Sequence, residues 1–335
     1  MNPEPLRLGS RRSPMAISQS GDVARLITGQ TGRRVEIVGV TTLGDVSREQ
    51  LTQIGGTGVF VSALRESLLR GEVDFAVHSL KDLPTGAAPG ITTAAIPARD
   101  DPRDALVGRD GVKLADLPPG ARIGTGSPRR AAQLAVLRSD VTCVPIRGNA
   151  NTRLAKVRDG EFDAVVLAYA GLARIGQTDL VSEIFEPDNM VPAPGQGALA
   201  VECRSDDAEL VGLLATIDHA ATRAAVTAER SLLAALEAGC SAPVGAYATI
   251  QPGPAQAGTG RLRLGAVVLG ARSITPQPGA LDAGAANGTI VIRESGEADA
   301  GEAARLGREL AARMLALGAA DLMRADDTDG DDAHD

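Results

Sequence analysis

The stretch "ARIGTGSPRRAAQLAVLR", residues 121–138, contains the strand-to-helix pattern on which the fold depends. Its first residues form a short apolar run that ends in glycines, which is typical of a buried strand that stops at a turn. Ser127 and Pro128 follow as a helix-start signal, because serine is a favoured N-cap and proline is tolerated at the first helical position. The stretch therefore predicts a strand followed directly by a helix.

Short apolar runs and helical stretches alternate on both sides of this unit. The alternation extends over residues 6–97 and again over residues 121–174. Such alternation is typical of βαβ units around a mainly parallel sheet. Residues 101–108 are interpreted as a crossover, and residues 191–204 as a return of the chain into the first half. The sequence thus predicts an α/β protein with two similar halves and a cleft between them.

The character of the chain changes at about residue 218, where an alanine-rich helix and two later strand-like runs predict a third, smaller α+β domain. Its last helix is predicted to bury Leu306, Leu310, Met314 and Leu317 on one face. Two linkers, 251–260 and 275–288, are interpreted as surface loops. The expected divisions are 1–97 with 198–217 for a discontinuous first domain, 98–197 for the second, 218–325 for the third and 326–335 for an acidic disordered tail.

Composition excludes several classes of function. The chain of 335 residues has a net charge of -8 and only 2% aromatic residues, whereas nucleic-acid-binding proteins usually have a basic surplus and stacking aromatics. Neither a signal peptide nor a long apolar run is present in the sequence, so we expect a cytoplasmic protein without a membrane partner. The cysteines, Cys143, Cys203 and Cys240, lie far apart, which predicts neither a disulfide framework nor a metal site.

Arginines lie where three of the predicted helices begin. A cation at a helix N-terminus is unfavourable by about 0.3–1 kcal/mol, so three such placements favour a bound anion. Solvated surface arginines, or salt bridges to the protein's own acids, are the alternative. The pattern does not distinguish a carboxylate from a phosphate, but without a P-loop or a complete dinucleotide fingerprint no nucleotide is expected. The arginines are Arg11, Arg12, Arg129, Arg130, Arg147 and Arg153.

Asp82 is a candidate catalytic residue. It follows an apolar strand and precedes Pro84, so a simple turn residue is the alternative. Its place at a strand end, at the same expected cleft as the arginines, favours catalysis by its carboxylate. His78 lies within that strand and is interpreted as a packing or supporting residue.

Cys240 differs from the other two cysteines. It lies in a loop rich in glycine and proline that would expose its sulfur, although a structural role is the alternative. Cys143 and Cys203 lie in strand-like runs and are interpreted as small core residues.

Five motifs, in this order, resemble those of the hydroxymethylbilane synthase family, also called porphobilinogen deaminases. The resemblance extends from residue 6 to about residue 250. It implies two type II periplasmic-binding-protein-like α/β domains and a smaller α+β C-terminal domain. The motifs are "HSLKDLPT" at 78–85, "GTGSPRR" at 124–130, "RGNANTRL" at 147–154, "APGQGALAVE" at 193–202 and "EAGCSAPVG" at 237–245.

The resemblance implies a dipyrromethane cofactor joined to Cys240 through a thioether, with no metal and no nucleotide. Porphobilinogen carries an acetate and a propionate, so the arginines would bind the carboxylates of substrate and cofactor. Phe60 is the implied loop contact, whereas Gln53 and Thr57 replace lysines that many relatives carry in that loop. The implied binding residues are Arg11, Ser13, Gln19, Ser79, Lys81, Thr125, Ser127, Arg129, Arg130, Arg147, Gly148, Asn149, Arg153, Arg174 and Gln196.

The implied reaction is a stepwise condensation of four porphobilinogen molecules onto the cofactor. Asp82 would assist the loss of ammonia, stabilise the resulting cation and help to remove a proton after each attack. Water would then release the linear tetrapyrrole hydroxymethylbilane, with a transient hand-over to uroporphyrinogen III synthase. We expect a monomer. The alternative is a non-enzymatic binding or sensor domain for acidic metabolites, which would need the arginines but not Asp82 or Cys240.

Overall fold

A computed structural model describes residues 4–40, 56–238, 242–251, 260–271 and 289–325. Several sequence predictions lie outside these residues: Cys240, Gln53, most of both linkers and the acidic tail. The side chains of Thr57 and Phe60 also lie outside the described part of the chain.

The structure has α-helices and strands that we number in chain order. The strands are β1 (Leu6–Ser10), β2 (Val35–Gly39), β3 (Phe75–Ser79), β4 (Ile91–Ala95), β5 (Asp104–Gly108), β6 (Arg122–Gly124), β7 (Thr142–Val144), β8 (Ala164–Ala168), β9 (Glu183–Ile184), β10 (Leu199–Arg204), β11 (Val244–Gln251), β12 (Arg261–Ala271) and β13 (Thr289–Asp299). The helices are α1 (Pro14–Thr31), α2 (Gly56–Leu69), α3 (Pro128–Leu137), α4 (Ala150–Arg158), α5 (Tyr169–Arg174), α6 (Ala208–Leu214), α7 (Ala220–Ala235), α8 (Ala303–Ala316) and α9 (Ala319–Ala325).

The chain separates into two compact units. Unit 1 comprises Met1–Asp100 and Gln196–Arg223, and unit 2 comprises Asp101–Gly195 and Ala224–Asp335. The three-domain boundaries expected from the sequence stay predictions.

Unit 1 contains a five-stranded sheet in the order β2-β1-β3-β10-β4. Strands β1, β2 and β3 are parallel, whereas β10 is antiparallel to both of its neighbours. The predicted return of the chain into the first half is confirmed, because β10 lies between strands formed more than a hundred residues earlier. An aliphatic core that includes Leu8, Ile27 and Val201 packs against this sheet.

Unit 2 contains a second five-stranded sheet, in the order β7-β6-β8-β5-β9. It repeats the arrangement of the first sheet, with parallel strands on one side and one antiparallel strand, β5, next to the edge. The interpretation of residues 101–108 as a plain crossover was incomplete. Residues 104–108 form β5, and all five are buried because the strand pairs on both sides.

A three-stranded antiparallel sheet, β11-β12-β13, follows in unit 2. The fold class is confirmed: two α/β sheets of mixed direction and a smaller α+β part. Strand β11 was missed by the sequence analysis. The buried face of α8 contains Leu306, Leu310 and Met314 as predicted, but the prediction for Leu317 was wrong. Its side chain is 56% exposed, because α8 ends at Ala316 and the chain turns at Gly318.

A buried ion pair between Arg65 of α2 and Glu202 of β10 connects the helix to the first sheet. Glu202 on β10 receives two hydrogen bonds from Arg65, at 2.9 and 2.7 Å, and lies 3.3 Å from Nε2 of His78. Burial raises the pKa of Glu202, but hydrogen bonds and positive charge from Arg65 and His78 outweigh burial and lower the pKa to about 2. His78 therefore supports the fold, in agreement with its interpretation as a packing residue.

This lowered pKa predicts a loss of stability in acid. A carboxyl whose pKa falls on folding contributes fully above its ordinary pKa of 4.5, and the contribution disappears as the pH falls from about 4.5 to about 2. Glu202→Gln lacks this contribution, so its deficit in free energy of unfolding should be largest near pH 6 and should shrink at pH 3. Urea unfolding at both pH values measures it, with Glu66→Gln, an exposed glutamate of α2, as the control. A deficit independent of pH contradicts the prediction.

Candidate functional site

Three strands lead directly into helices whose first turns are capped by side chains. Ser13 Oγ accepts from Ala16 N at 3.3 Å, and Ser127 Oγ accepts from Arg130 N at 3.4 Å. Asn149 Oδ1 accepts from Thr152 N at 2.9 Å and caps α4. The predicted helix starts are confirmed. Each cap leaves other N–H groups of its first turn available to an anion.

Arg129 and Arg130, in the first turn of α3, are both buried and share one carboxylate. Asp104 Oδ1 accepts from Arg130 Nε at 3.0 Å and from Nη2 at 2.7 Å, and Asp104 Oδ2 lies 2.8 Å from Arg129 Nη2. The remaining terminal nitrogens donate to main-chain oxygens, Arg130 Nη1 to Val166 at 3.1 Å and Arg129 Nη1 to Val191 at 2.5 Å. The salt-bridge alternative thus holds in part for this pair.

The pair still carries one positive charge more than Asp104 neutralises. Burial lowers the pKa of Arg129, Asp104 raises it, and the charge of Arg130 lowers it again. Arg129 Nε is buried and has no hydrogen-bond partner among the described residues. A buried cluster with excess positive charge favours a bound anion.

The start of α4 adds two arginines without an acidic partner in the described part of the chain. Arg147 is exposed, and Arg153 is half-buried with Nε donating to Gly148 O at 2.9 Å. Burial, together with the charge of Arg130, lowers the pKa of Arg153. Gly148 has φ +107°, and a Cβ there would lie 2.9 Å from Thr152 Cγ2. The positive φ and the crowding by Thr152 both favour glycine at this position, beside the arginines.

Asp82 is the last residue of a single 3₁₀ turn, Leu80–Asp82, that follows β3 in unit 1. Its side chain is half-buried and makes no hydrogen bond or ion pair with any described residue. The adjacent Lys81 donates to Gln196 Oε1 at 3.4 Å, and the Gln196 carbonyl accepts from Arg99 Nε at 2.7 Å. Because Asp82 has no partner among the described residues, its carboxylate is available to a ligand. The ammonium group of Lys81, by contrast, already contacts Gln196.

The other predicted binding residues divide between the two units. In unit 1, Arg11 is half-buried before α1, Gln19 is buried within α1 and Ser79 ends β3. In unit 2, Thr125 is buried and its Oγ1 accepts from Ser127 N at 3.2 Å, and Arg174 is half-buried at the end of α5.

The two thiols within the described residues are not reactive groups. Burial raises the pKa of Cys143 to about 11, and burial with the charge of Asp207 raises that of Cys203 to about 11. Cys203 is part of the core of unit 1, and Cys143 packs against the core of unit 2. Their interpretation as core residues is confirmed.

Asp104 is the site residue that sequence reasoning missed. The available signal was an acidic residue at the head of the otherwise apolar strand "DALVG", a position where an unpaired charge is costly. Within the described ranges, no three acidic, cysteine or histidine side chains are grouped as a metal site. No described helix is both long and apolar enough to span a bilayer.

Fold and site together define an α/β protein with excess guanidinium charge at helix starts of one unit and an unpaired carboxylate in the other. Family profiles match the chain twice: "Porphobilinogen deaminase, dipyromethane cofactor binding domain" at residues 6–212 and "Porphobilinogen deaminase, C-terminal domain" at residues 223–274. The chain belongs to the porphobilinogen deaminase family, whose members are transferases.

Named relatives match over nearly the whole chain. The porphobilinogen deaminase of Thermobifida fusca is 56% identical over 323 residues, which cover 95% of this chain and 96% of that protein. Porphobilinogen deaminase 1 of Streptomyces coelicolor is 56% identical, with 96% and 98% covered. That of Mycobacterium tuberculosis is 50% identical, with 95% and 98% covered.

Solved structures show more distant similarity. The periplasmic VFT2 domain of Bordetella pertussis BvgS aligns with a TM-score of 0.37 and 17% identity, covering 63% of this chain and 86% of that one. A periplasmic binding protein of Salmonella typhimurium with high arginine specificity aligns with a TM-score of 0.34 and 13% identity, covering 64% and 92%.

Proposed function

We propose that the protein is a hydroxymethylbilane synthase. It condenses four porphobilinogen molecules head to tail, releases one ammonia at each condensation, and frees the linear tetrapyrrole by hydrolysis. The observation that carries the proposal is the pair of buried arginines, Arg129 and Arg130, on the carboxylate of Asp104, with the guanidinium charge of Arg153 near Arg130, in a chain of the porphobilinogen deaminase family.

The arginine cluster fits a substrate that carries several carboxylates. Porphobilinogen bears an acetate and a propionate, and every added pyrrole brings two more carboxylates. Arg147 and Arg153 have no acidic partner among the described residues, and helix N-termini add N–H donors. Charge-assisted hydrogen bonds to these arginines would hold the pyrroles in register.

The same residues fit the family's dipyrromethane cofactor, because its two rings carry the same acidic side chains. The buried Nε of Arg129, which has no hydrogen-bond partner among the described residues, supports this fit. When bound, the cofactor supplies the carbon nucleophile to which the first substrate is added. Cys240 would hold it, because a thioether resists the hydrolysis that releases product.

Asp82 is assigned two roles: it stabilises the positive charge that develops as ammonia leaves, and it removes a proton after carbon–carbon bond formation. Its carboxylate would accept a hydrogen bond from the substrate ammonium and offset the positive charge that develops as ammonia leaves. After the new carbon–carbon bond forms, the ring whose α-carbon attacked the cation loses the proton of that carbon, which Asp82 would accept and pass to solvent. The absence of any described partner for Asp82 supports this assignment.

Three parts of the proposal concern the surroundings of the reaction: a cytoplasmic location, a monomeric state and a transient hand-over of product to uroporphyrinogen III synthase. They stay predictions from the sequence. The alternative, a binding or sensor domain for acidic metabolites, would use the arginines but give Asp82 no role.

Arg153→Leu tests the carboxylate-binding part. Loss of one charge-assisted hydrogen bond of about 1.5–3 kcal/mol should raise KM for porphobilinogen by roughly tenfold to a hundredfold. The matched control is Arg158→Leu in the same helix, because that side chain is 78% exposed and its ion pair among the described residues is with the neighbouring Asp159. Steady-state kinetics at fixed ionic strength measure both variants. Equal KM values for the two variants would show that Arg153 does not bind substrate carboxylates.

A further inference from the structure

Asp104 is held rigidly at the head of β5. The residue is 0% exposed and pairs with Ala168 of β8 in the sheet. Its carbonyl oxygen accepts from Phe185 N at 2.9 Å, which fixes the strand from the other side. Because the main chain is fixed on both sides, the position of the carboxylate is set by the sheet.

Each oxygen of this carboxylate serves a different guanidinium group. Oδ1 binds Arg130 through two nitrogens, and Oδ2 lies against Arg129. Main-chain oxygens of Val166 and Val191 take one further N–H from each arginine. The bidentate contact fixes the plane of the Arg130 guanidinium group. The ion pair of 2.8 Å holds Nη2 of Arg129 beside the second oxygen of the same carboxylate.

The positive charge of Arg129 and Arg130 explains why a carboxylate is needed between them. Arg129 and Arg130 are adjacent in sequence and buried, so without a carboxylate between them their charges repel in a medium of low dielectric constant. Among the described residues, Asp104 offsets one of the two positive charges of the pair, and the charge of Arg153 lies near Arg130. One carboxylate therefore stabilises the pair without cancelling its attraction for an anion.

We propose that Asp104 is a positioning residue, which holds the guanidinium groups of Arg129 and Arg130 together at the start of α3 for the carboxylates of substrate and cofactor. The inference deepens the proposed function and rests on it. Positioning by Asp104 and net charge alone predict opposite effects on anion binding when Asp104 is removed. If charge alone mattered, removing Asp104 would strengthen anion binding, whereas loss of positioning weakens it.

Two variants and one control separate these effects. Asp104→Asn keeps the shape but removes the charge, and Asp104→Glu keeps the charge but moves the carboxylate by one methylene. Glu202→Gln is the control, since Glu202 is also a buried carboxylate paired with an arginine, Arg65. Each purified protein is measured by urea unfolding, by intact mass for the fraction carrying the cofactor adduct, and by kcat and KM for porphobilinogen.

We expect Asp104→Asn to lower the adduct-bearing fraction severalfold and to raise KM by about tenfold or more. Glu202→Gln should lose stability while keeping its adduct and its KM. Asp104→Glu should raise KM less than Asp104→Asn, and it alone decides the outcome if Asp104→Asn does not fold, because only positioning predicts a rise at unchanged charge.

The inference is overturned if KM is unchanged or lower in the Asp104 variant that folds, whatever its stability. The proposed function itself fails if the unaltered protein lacks the adduct and does not consume porphobilinogen. The two failures are distinguishable, because the first is measured only against an active, adduct-bearing parent protein.

Discussion

Asp82→Asn should acquire cofactor but consume porphobilinogen at least about a hundredfold more slowly than the unaltered protein. The amide keeps the shape of the 3₁₀ turn but supplies no negative charge to the cation formed when ammonia leaves, and it accepts no proton afterwards. Removal of one group that stabilises charge in a transition state typically costs about 10²–10³ in kcat. Single-turnover release of ammonia from the adduct-bearing variant measures the step directly.

The chain provides a matched control for this variant. Asp116 is also the third residue of a 3₁₀ turn, Leu114–Asp116, and its side chain is exposed. Asp116→Asn should leave turnover unchanged, because it alters the same kind of turn without the assigned chemistry. If both variants retain turnover within a few-fold of the unaltered protein, Asp82 is a turn residue and the catalytic assignment fails.

Cys240→Ala should abolish the adduct and the activity together. No other thiol is expected to substitute, since the raised pKa values of Cys143 and Cys203 keep both protonated at neutral pH. Cys143→Ala is the control and should keep both adduct and activity. A Cys240→Ala protein that forms hydroxymethylbilane at a normal rate would remove the thioether from the mechanism.

Local signals predicted the helix starts well. Ser13 and Ser127 cap their helices because the serine oxygen satisfies an N–H two or three positions later, an interaction contained in a few residues of sequence. The burial of Leu310 and Met314 likewise follows from helical periodicity. The exposure of Leu317 does not follow from periodicity, because the position where a helix ends depends on the C-terminal turn as well as on the apolar pattern.

The pairing of Arg130 with Asp104 could not be read from the sequence. The two residues are 26 positions apart, and they meet only because β5 inserts antiparallel beside β8. The sequence pattern identified the arginines as an anion site but did not show that one carboxylate of the protein already lies between them. For Asp82, the local motif fitted a turn residue as well as a catalyst, its place at a strand end favoured catalysis, and the family resemblance implied the particular role.

In the proposed function, Cys240 carries the dipyrromethane cofactor through a covalent bond. The most direct test is the intact mass of denatured protein purified from cells, followed by peptide mapping. We predict a mass above that of the sequence by a two-pyrrole adduct, located on the peptide that contains Cys240 and absent from those with Cys143 and Cys203. An active preparation with the bare mass of the sequence would show that the protein works without a covalently bound cofactor.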